Sequence, residues 1–127
     1  MFTLRIANHD YRINNKYDYT QKLCRNYEIP DCKAEEIRVT YEEIKSENVG
    51  EHAFSDSYLE SLAIYRKICG RLLDDDIILF HCSALQMDGK AVLISAPSGT
   101  GKSTHARLWK EYFGEKVSGI NVDRTLS

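Results

Sequence analysis

The sequence predicts a mixed fold of the α/β (α+β) class, with a largely antiparallel sheet. Three observations support this prediction. Asp88-Gly89 separates two apolar runs, which is typical of a two-residue β-hairpin turn. Small and turn-forming residues then follow in a glycine-rich loop, residues 95–101 (SAPSGTG). An amphipathic helical pattern begins after this loop and continues to Phe113, where Gly114 provides a stop signal.

The first 54 residues predict a small α/β region to which the sequence assigns no chemistry. Mixed apolar and polar character identifies its strands, and Pro30 interrupts its first helix. The first two strands are expected to form a hairpin across Asn8-His9-Asp10. The predicted elements are strand 2–7, strand 11–13, helix 20–27, strand 37–40 and helix 41–47.

Residues 55–127 form the second predicted region, a core that contains the glycine-rich loop and begins with the longest predicted helix, 55–73. Ser57 and Glu60 have the spacing of a capping box at its start. Spacings of three and four residues place one apolar stripe along this helix, made of Tyr58, Leu62, Tyr65, Cys69 and Leu72.

The hairpin before the glycine-rich loop is predicted as a long strand, 77–87, followed by an antiparallel strand, 91–95. If the turn has two residues, the register places His81 opposite Ala96, beside the mouth of the loop. Because both faces of this hairpin are largely apolar, we expect it to be buried on both sides.

The glycine-rich loop and the residues after it have the spacing of a P-loop (Walker A motif), with Ala96 followed by four residues and then Gly101-Lys102-Ser103. Glycines allow backbone conformations in which successive N–H groups face an anion, and the start of a helix adds partial positive charge. Lys102 would contact the β- and γ-phosphates, and Ser103 would bind Mg²⁺. A turn without a ligand is the alternative. The predicted nucleotide-binding residues are Ser98, Gly99, Thr100, Gly101, Lys102, Ser103 and Thr104.

A last short strand is expected within residues 116–122, and Asp123 follows it. An acidic residue at the end of a strand near a phosphate-binding loop is the usual second partner of Mg²⁺. The alternative is an ordinary acidic residue at a strand end. The helix before this strand is predicted to pack through four residues, Leu108, Trp109, Tyr112 and Phe113.

Composition excludes several classes of function. A net charge of −2 does not suggest a nucleic-acid-binding surface. The longest apolar runs are far shorter than a membrane span, and the start of the chain lacks the pattern of a signal peptide. The four cysteines form no C-x-x-C pair, and the four histidines lack metal-ligand spacing. We therefore expect a cytoplasmic protein with reduced cysteines and without a zinc site.

Two stretches resemble one known family. The stretch FHCSALQMDGKAVLISAPSGTGKSTHARLW, with its hairpin before the loop, is similar to the core of HPr kinase/phosphorylase-like proteins of the phosphoenolpyruvate carboxykinase superfamily. The stretch GINVDRTLS resembles a variant of the Asn-Asp-Asp-Lys-Pro segment of that family. The resemblance covers residues 79–126, and extends more weakly to EEIRVTYEEIKSEN and SDSYLESLAIYRKI.

This resemblance implies an ATP- and Mg²⁺-dependent kinase that transfers the γ-phosphoryl group to a hydroxyl, such as a serine of a protein or peptide. Lys102, His81 and Asp123 would be its catalytic residues, and Ser103 and Asp123 would bind the metal. A buried core position remains the alternative for His81. A carboxykinase-like metabolic enzyme is a second alternative, although its metal-binding residues have no counterpart that we can place.

Two departures from the family narrow the expected function. Val122 replaces the first acid of the pair, so that Asp123 alone remains, and Arg124-Thr125 replaces Lys-Pro. Relatives continue beyond the position of Ser127, so the chain resembles their nucleotide-binding first part and is expected to be incomplete at its C-terminus. A non-catalytic nucleotide-binding module or a truncated fragment is therefore a further alternative. Uncovered apolar faces would favour a homo-oligomer.

Overall fold

The computed structural model describes residues 1–80 and 82–119. These residues form four α-helices and two mostly antiparallel sheets, which confirms the predicted mixed and largely antiparallel class. The chain divides into two compact units, Met1–Leu79 and Phe80–Ser127. No helix among the described residues is both long enough and apolar enough to cross a membrane.

The first unit contains a four-stranded sheet in the order β3-β1-β2-β4. A two-residue turn at Ala7 and Asn8, both with positive φ, joins the first two strands. β1 pairs antiparallel with β2 and β3, whereas β2 pairs parallel with β4. The strands are β1 (Phe2–Ile6), β2 (His9–Asn14), β3 (Glu28–Ile29) and β4 (Glu35–Arg38).

Three helices belong to the first unit, and α3 contacts α1, α2 and β4. Their bounds are α1 (Asp18–Leu23), α2 (Tyr41–Ser46) and α3 (Asp56–Asp74). Leu59, Ile64 and Leu72 of α3 are buried in the same core as the apolar residues of the sheet. The compact unit therefore extends to Leu79, well beyond the predicted boundary after residue 54, because the apolar face of α3 is part of this core.

The start of α3 differs from the prediction. Ser55 is the N-cap, and its Oγ accepts the backbone N–H of Tyr58 at 3.3 Å. The predicted capping box at Ser57 and Glu60 is wrong, because the Glu60 side chain is buried and accepts backbone N–H groups of Lys16 and Tyr17 instead. A complete capping box occurs at Thr40 of α2.

The second unit contains a three-stranded antiparallel sheet in the order β6-β5-β7, with α4 packed on β5 and β7. Asp88 and Gly89, both with positive φ, form the predicted turn, and the register runs from Met87–Lys90 to Ser83–Ile94. The elements are β5 (Ser83–Met87), β6 (Lys90–Ile94), α4 (Lys102–Phe113) and β7 (Val117–Gly119).

The first strand of this hairpin is shorter than the predicted strand 77–87. Residues 77–80 and Cys82 are not in a strand, and His81 lies outside the described residues, together with its predicted pairing to Ala96. β6 ends at Ile94 as the chain enters the glycine-rich loop, where Pro97 has no N–H to donate. Residues 77–80 and Cys82 pair with no strand among the described residues, so they have no ladder to extend.

Burial of the hairpin on both sides is also wrong. Leu85 is buried against the side covered by α4, where Val92 and Ile94 are partly buried. Leu93 on the opposite face is 56% exposed, and Phe80 before the strand is 57% exposed. Among the described residues of the second unit, α4 is the only α-helix, so it covers one face of the sheet alone.

Candidate functional site

The glycine-rich loop connects edge strand β6 to α4 within the second unit. Gly99 has a φ of 82° and Gly101 a φ of 95°, in the left-handed region that a side chain strongly disfavours. A Cβ built on either glycine would meet no atom within 4 Å, so the requirement for glycine comes from the backbone rather than from crowding. Both glycines therefore have the conformational role that their spacing predicts.

The start of α4 supplies donors for an anion. Gly101 is the N-cap, and its carbonyl accepts the N–H of His105 at 2.9 Å. The N–H groups of the first helical residues, Lys102, Ser103 and Thr104, have no acceptor within the helix itself. These donors and the helix dipole favour a negatively charged group in front of the helix.

Lys102 is the cationic group of the site. Its Nζ donates to the carbonyl oxygens of Ala96 at 2.6 Å and Pro97 at 3.1 Å, so the side chain folds back over the start of the loop. The ammonium group is thus held beside the N-terminal end of α4 by neutral acceptors. A phosphate oxygen would offer it a stronger, charge-assisted partner.

Thr100 makes two contacts that the sequence analysis did not identify. Its hydroxyl donates to the Pro97 carbonyl at 2.7 Å, and its backbone N–H points to the same oxygen at 3.3 Å. Together with Lys102, three donors meet at one carbonyl oxygen. The available signal was Gly99, because it is the third residue of a turn over residues 97–100, where a type II turn requires a positive φ.

The remaining side chains that are predicted to bind the nucleotide or Mg²⁺ are accessible from solution. Ser98, Ser103 and Thr104 are exposed, and Ser103 lies in the first turn of α4. No group of three or more His, Cys, Asp or Glu side chains that could hold a metal ion occurs among the described residues. The Ser103 hydroxyl suits a Mg²⁺ ion that takes its other ligands from phosphate and water, which is how this ion is commonly bound.

Strand direction relates the glycine-rich loop to the end of β7. β6 and β7 are both antiparallel to β5, so they run parallel to each other on either side of it. Their carboxyl ends therefore face the same edge of the sheet, with the glycine-rich loop leaving the end of β6. β7 ends at Gly119, whereas Asp123 lies outside the described residues, as His81 does.

Comparisons with protein-family models, curated proteins and solved structures find no significant match to this chain. The resemblance to HPr kinase-like proteins therefore stays a prediction from the residues quoted above. The geometry of the loop is an independent observation, since it depends on the dihedral angles and hydrogen bonds of this chain alone.

The helix after the loop packs through two of its four predicted residues. Trp109 and Phe113 pack against the core of Leu85, Ala106 and Val117, whereas Leu108 and Tyr112 are 50% and 83% exposed. Trp109 Nε1 also donates to His105 Nε2 at 2.9 Å. His105 therefore carries its proton on Nδ1 in this arrangement, because Nε2 must be the acceptor.

Proposed function

We propose that this chain is an ATP-binding protein of the HPr kinase-like group, with the glycine-rich loop and the start of α4 as its phosphate site. One observation carries the proposal: the ammonium group of Lys102 lies over a loop whose two glycines are left-handed, at the N-terminal end of α4. A cation, backbone donors and a helix start in one short segment suit a polyphosphate.

Lys102, Ser103 and the backbone at the start of α4 have direct roles in this proposal. Lys102 exchanges its carbonyl acceptors for oxygens of the β- and γ-phosphates, and N–H groups from Gly101 to Thr104 contribute further donors. The Ser103 hydroxyl holds Mg²⁺, and Asp123 is proposed from the sequence as its second partner. When bound, Mg²⁺ neutralises part of the phosphate charge.

The proposed reaction is transfer of the γ-phosphoryl group to a hydroxyl, such as a serine of a protein or peptide. Lys102 and the backbone donors would stabilise the charge on the transferred group, which is the main contribution of proteins to this chemistry. His81 and Asp123 complete the proposed catalytic set on the basis of the family resemblance.

A cytoplasmic location is proposed with this function. All four cysteines are free thiols, as expected for a reducing compartment. Burial raises the pKa of Cys24 to about 11, so this thiol stays protonated and serves as an apolar core residue.

A nucleotide-binding module without catalysis is the second candidate. Val122 favours a module without catalysis. It stands where the family has the first of two acids, so that Asp123 alone remains in this segment. An ADP-release assay with serine-containing peptides distinguishes the candidates, since a module would bind Mg·ATP without releasing ADP above the background rate. With either function, we propose that the chain forms a homo-oligomer, in keeping with the exposed side chains of Leu93 and Tyr112.

The proposal predicts that Lys102→Ala weakens Mg·ATP binding, measured by isothermal titration calorimetry. Loss of a charge-assisted contact of about 1.5–3 kcal/mol corresponds to a decrease in affinity of roughly 10- to 100-fold. Lys110→Ala is the matched control, because Lys110 is an exposed lysine of the same helix, two turns further on. Equal affinity of the wild type and Lys102→Ala would contradict the proposed function.

A further inference from the structure

We propose that the Thr100 hydroxyl is a positioning group that holds the glycine-rich loop closed through Pro97 and so frees Lys102 for phosphate. This inference rests on the proposed function and reassigns Thr100. The sequence analysis placed Thr100 among the residues that contact the nucleotide. Its backbone N–H instead points to the Pro97 carbonyl at 3.3 Å, and its hydroxyl donates to the same oxygen at 2.7 Å.

The first step of the argument is competition at the Pro97 carbonyl. A carbonyl oxygen has two lone pairs, yet three donors point to this one: the Thr100 N–H, the Thr100 hydroxyl and Lys102 Nζ. The lysine contact, at 3.1 Å, is longer than the hydroxyl contact, at 2.7 Å. The hydroxyl therefore occupies the better position and leaves Lys102 with a weaker hold on this oxygen.

The second step concerns the carbonyl after Lys102 has moved to a phosphate. Without the Thr100 hydroxyl, Pro97 would keep only the long 3.3 Å contact from the backbone N–H of Thr100. With the hydroxyl, the carbonyl retains a short hydrogen bond. The hydroxyl therefore lowers the cost of releasing the Pro97 carbonyl, whereas the shorter contact from Lys102 to the Ala96 carbonyl, at 2.6 Å, is exchanged with or without it.

The third step concerns the shape of the loop. Thr100 lies between Gly99 and Gly101, the two residues with left-handed dihedral angles. Its bond to Pro97 closes the turn that contains Gly99 and leads directly into Gly101 and α4. A loop that is already closed loses less conformational entropy when phosphate binds.

The test compares Thr100→Val, which removes the hydroxyl at nearly constant shape, with Thr100→Ser, which retains it. In calorimetry with Mg·ATP we expect Thr100→Val to bind about 5-fold more weakly, the usual effect of one net hydrogen bond, and Thr100→Ser to bind like the wild type. Rescue by serine separates a hydroxyl-specific role from a general effect of substitution. Similar weakening in both variants would overturn the inference.

A second measurement needs no nucleotide. Trypsin cleavage after Lys102 in the free protein, followed by mass spectrometry of the peptide that ends there, reports opening of the loop. Thr100→Val should be cleaved several-fold faster than the wild type, and Thr100→Ser at the wild-type rate. Equal cleavage of all three proteins would overturn the holding role of Thr100.

The two measurements distinguish failure of this inference from failure of the proposed function. If the wild type binds Mg·ATP, Lys102→Ala does not, and Thr100→Val matches the wild type, the Thr100 inference fails and the proposed function stands. If the wild type binds no Mg·ATP, the proposed function fails, and so does the link from Thr100 to phosphate. The cleavage rates then decide whether Thr100 holds the loop.

Discussion

Glu60 shows how one residue can connect distant parts of the first unit. Its side chain is fully buried in α3 and accepts the backbone N–H groups of Lys16 and Tyr17, the latter at 3.0 Å. These two donors belong to the segment that leads into α1. The carboxylate therefore fixes the start of α1 against α3 and satisfies two backbone N–H groups of the neighbouring segment.

Replacing Glu60 by Gln is expected to lower the free energy of unfolding by about 2 kcal/mol, because a buried amide NH₂ would face one of the two backbone donors. Chemical denaturation measures this change. Glu51→Gln is the control, since Glu51 is exposed, and it should change stability by less than about 0.5 kcal/mol. A similar small change in both variants would show that Glu60 does not hold the segment.

At the scale of single residues, the sequence was most informative where a backbone conformation favours one residue type. The spacing of Gly99 and Gly101 predicted their left-handed dihedral angles. Glu60 was assigned to a helix cap, because sequence spacing cannot show that a distant segment offers it two better donors. Thr100 was predicted to contact the nucleotide, and its position in the motif did not indicate the hydrogen bond from its hydroxyl to the Pro97 carbonyl.

At the scale of elements, α2 and α3 are joined by an ion pair with one buried partner. Arg66 donates through Nε to Glu47 Oε1 at 2.6 Å and through Nη2 to Oε2 at 2.9 Å. The Glu47 side chain is 9% exposed, whereas that of Arg66 is 74% exposed. Hydrogen bonds from Arg66 hold the pKa of Glu47 below its usual value of 4.5.

This shift predicts a pH-dependent contribution to stability. Because the folded-state pKa is the lower one, the contribution is present above pH 4.5 and is lost as the pH falls through the folded-state pKa. Near neutral pH we expect Glu47→Gln to cost about 1 kcal/mol, an amount limited by solvent screening at Arg66. Denaturation at a series of pH values should show the difference from the wild type shrinking on acidification. A constant difference would contradict the assignment.

Element prediction succeeded where the signal is local. The Asp88-Gly89 turn, its register and the long helix α3 follow from residues within each segment. The strand expected over 77–87 begins only at Ser83, since its length depends on where β6 ends. β3 was missed because a two-residue strand exists only through its pairing with Thr3 and Leu4 of β1.

At the scale of the whole molecule, the two units have very different cores. Thirteen hydrophobic residues are buried together in the first unit. Among the described residues of the second unit, the corresponding buried residues are Leu85, Ala106 and Val117. Each unit must offset its own loss of chain entropy, so the first has the larger hydrophobic contribution to stability.

We therefore predict that residues 1–79 alone fold cooperatively, whereas residues 80–127 alone do not. Small units with few buried apolar side chains rarely fold unaided. Circular dichroism during thermal unfolding of each fragment measures this difference, with the full chain as the reference. A cooperative transition in the fragment 80–127 would contradict this prediction and show that the core around Leu85, Ala106 and Val117 suffices for folding.

Trp109, which donates a hydrogen bond to His105, gives the molecule an intrinsic fluorescent probe. Trp109 is the only tryptophan of the chain, and it lies on the helix that leaves the glycine-rich loop. Its indole N–H donates to His105 Nε2 at 2.9 Å, and its ring packs against the core of Leu85, Ala106 and Val117. Intrinsic fluorescence can therefore report on this helix during a nucleotide titration without a label.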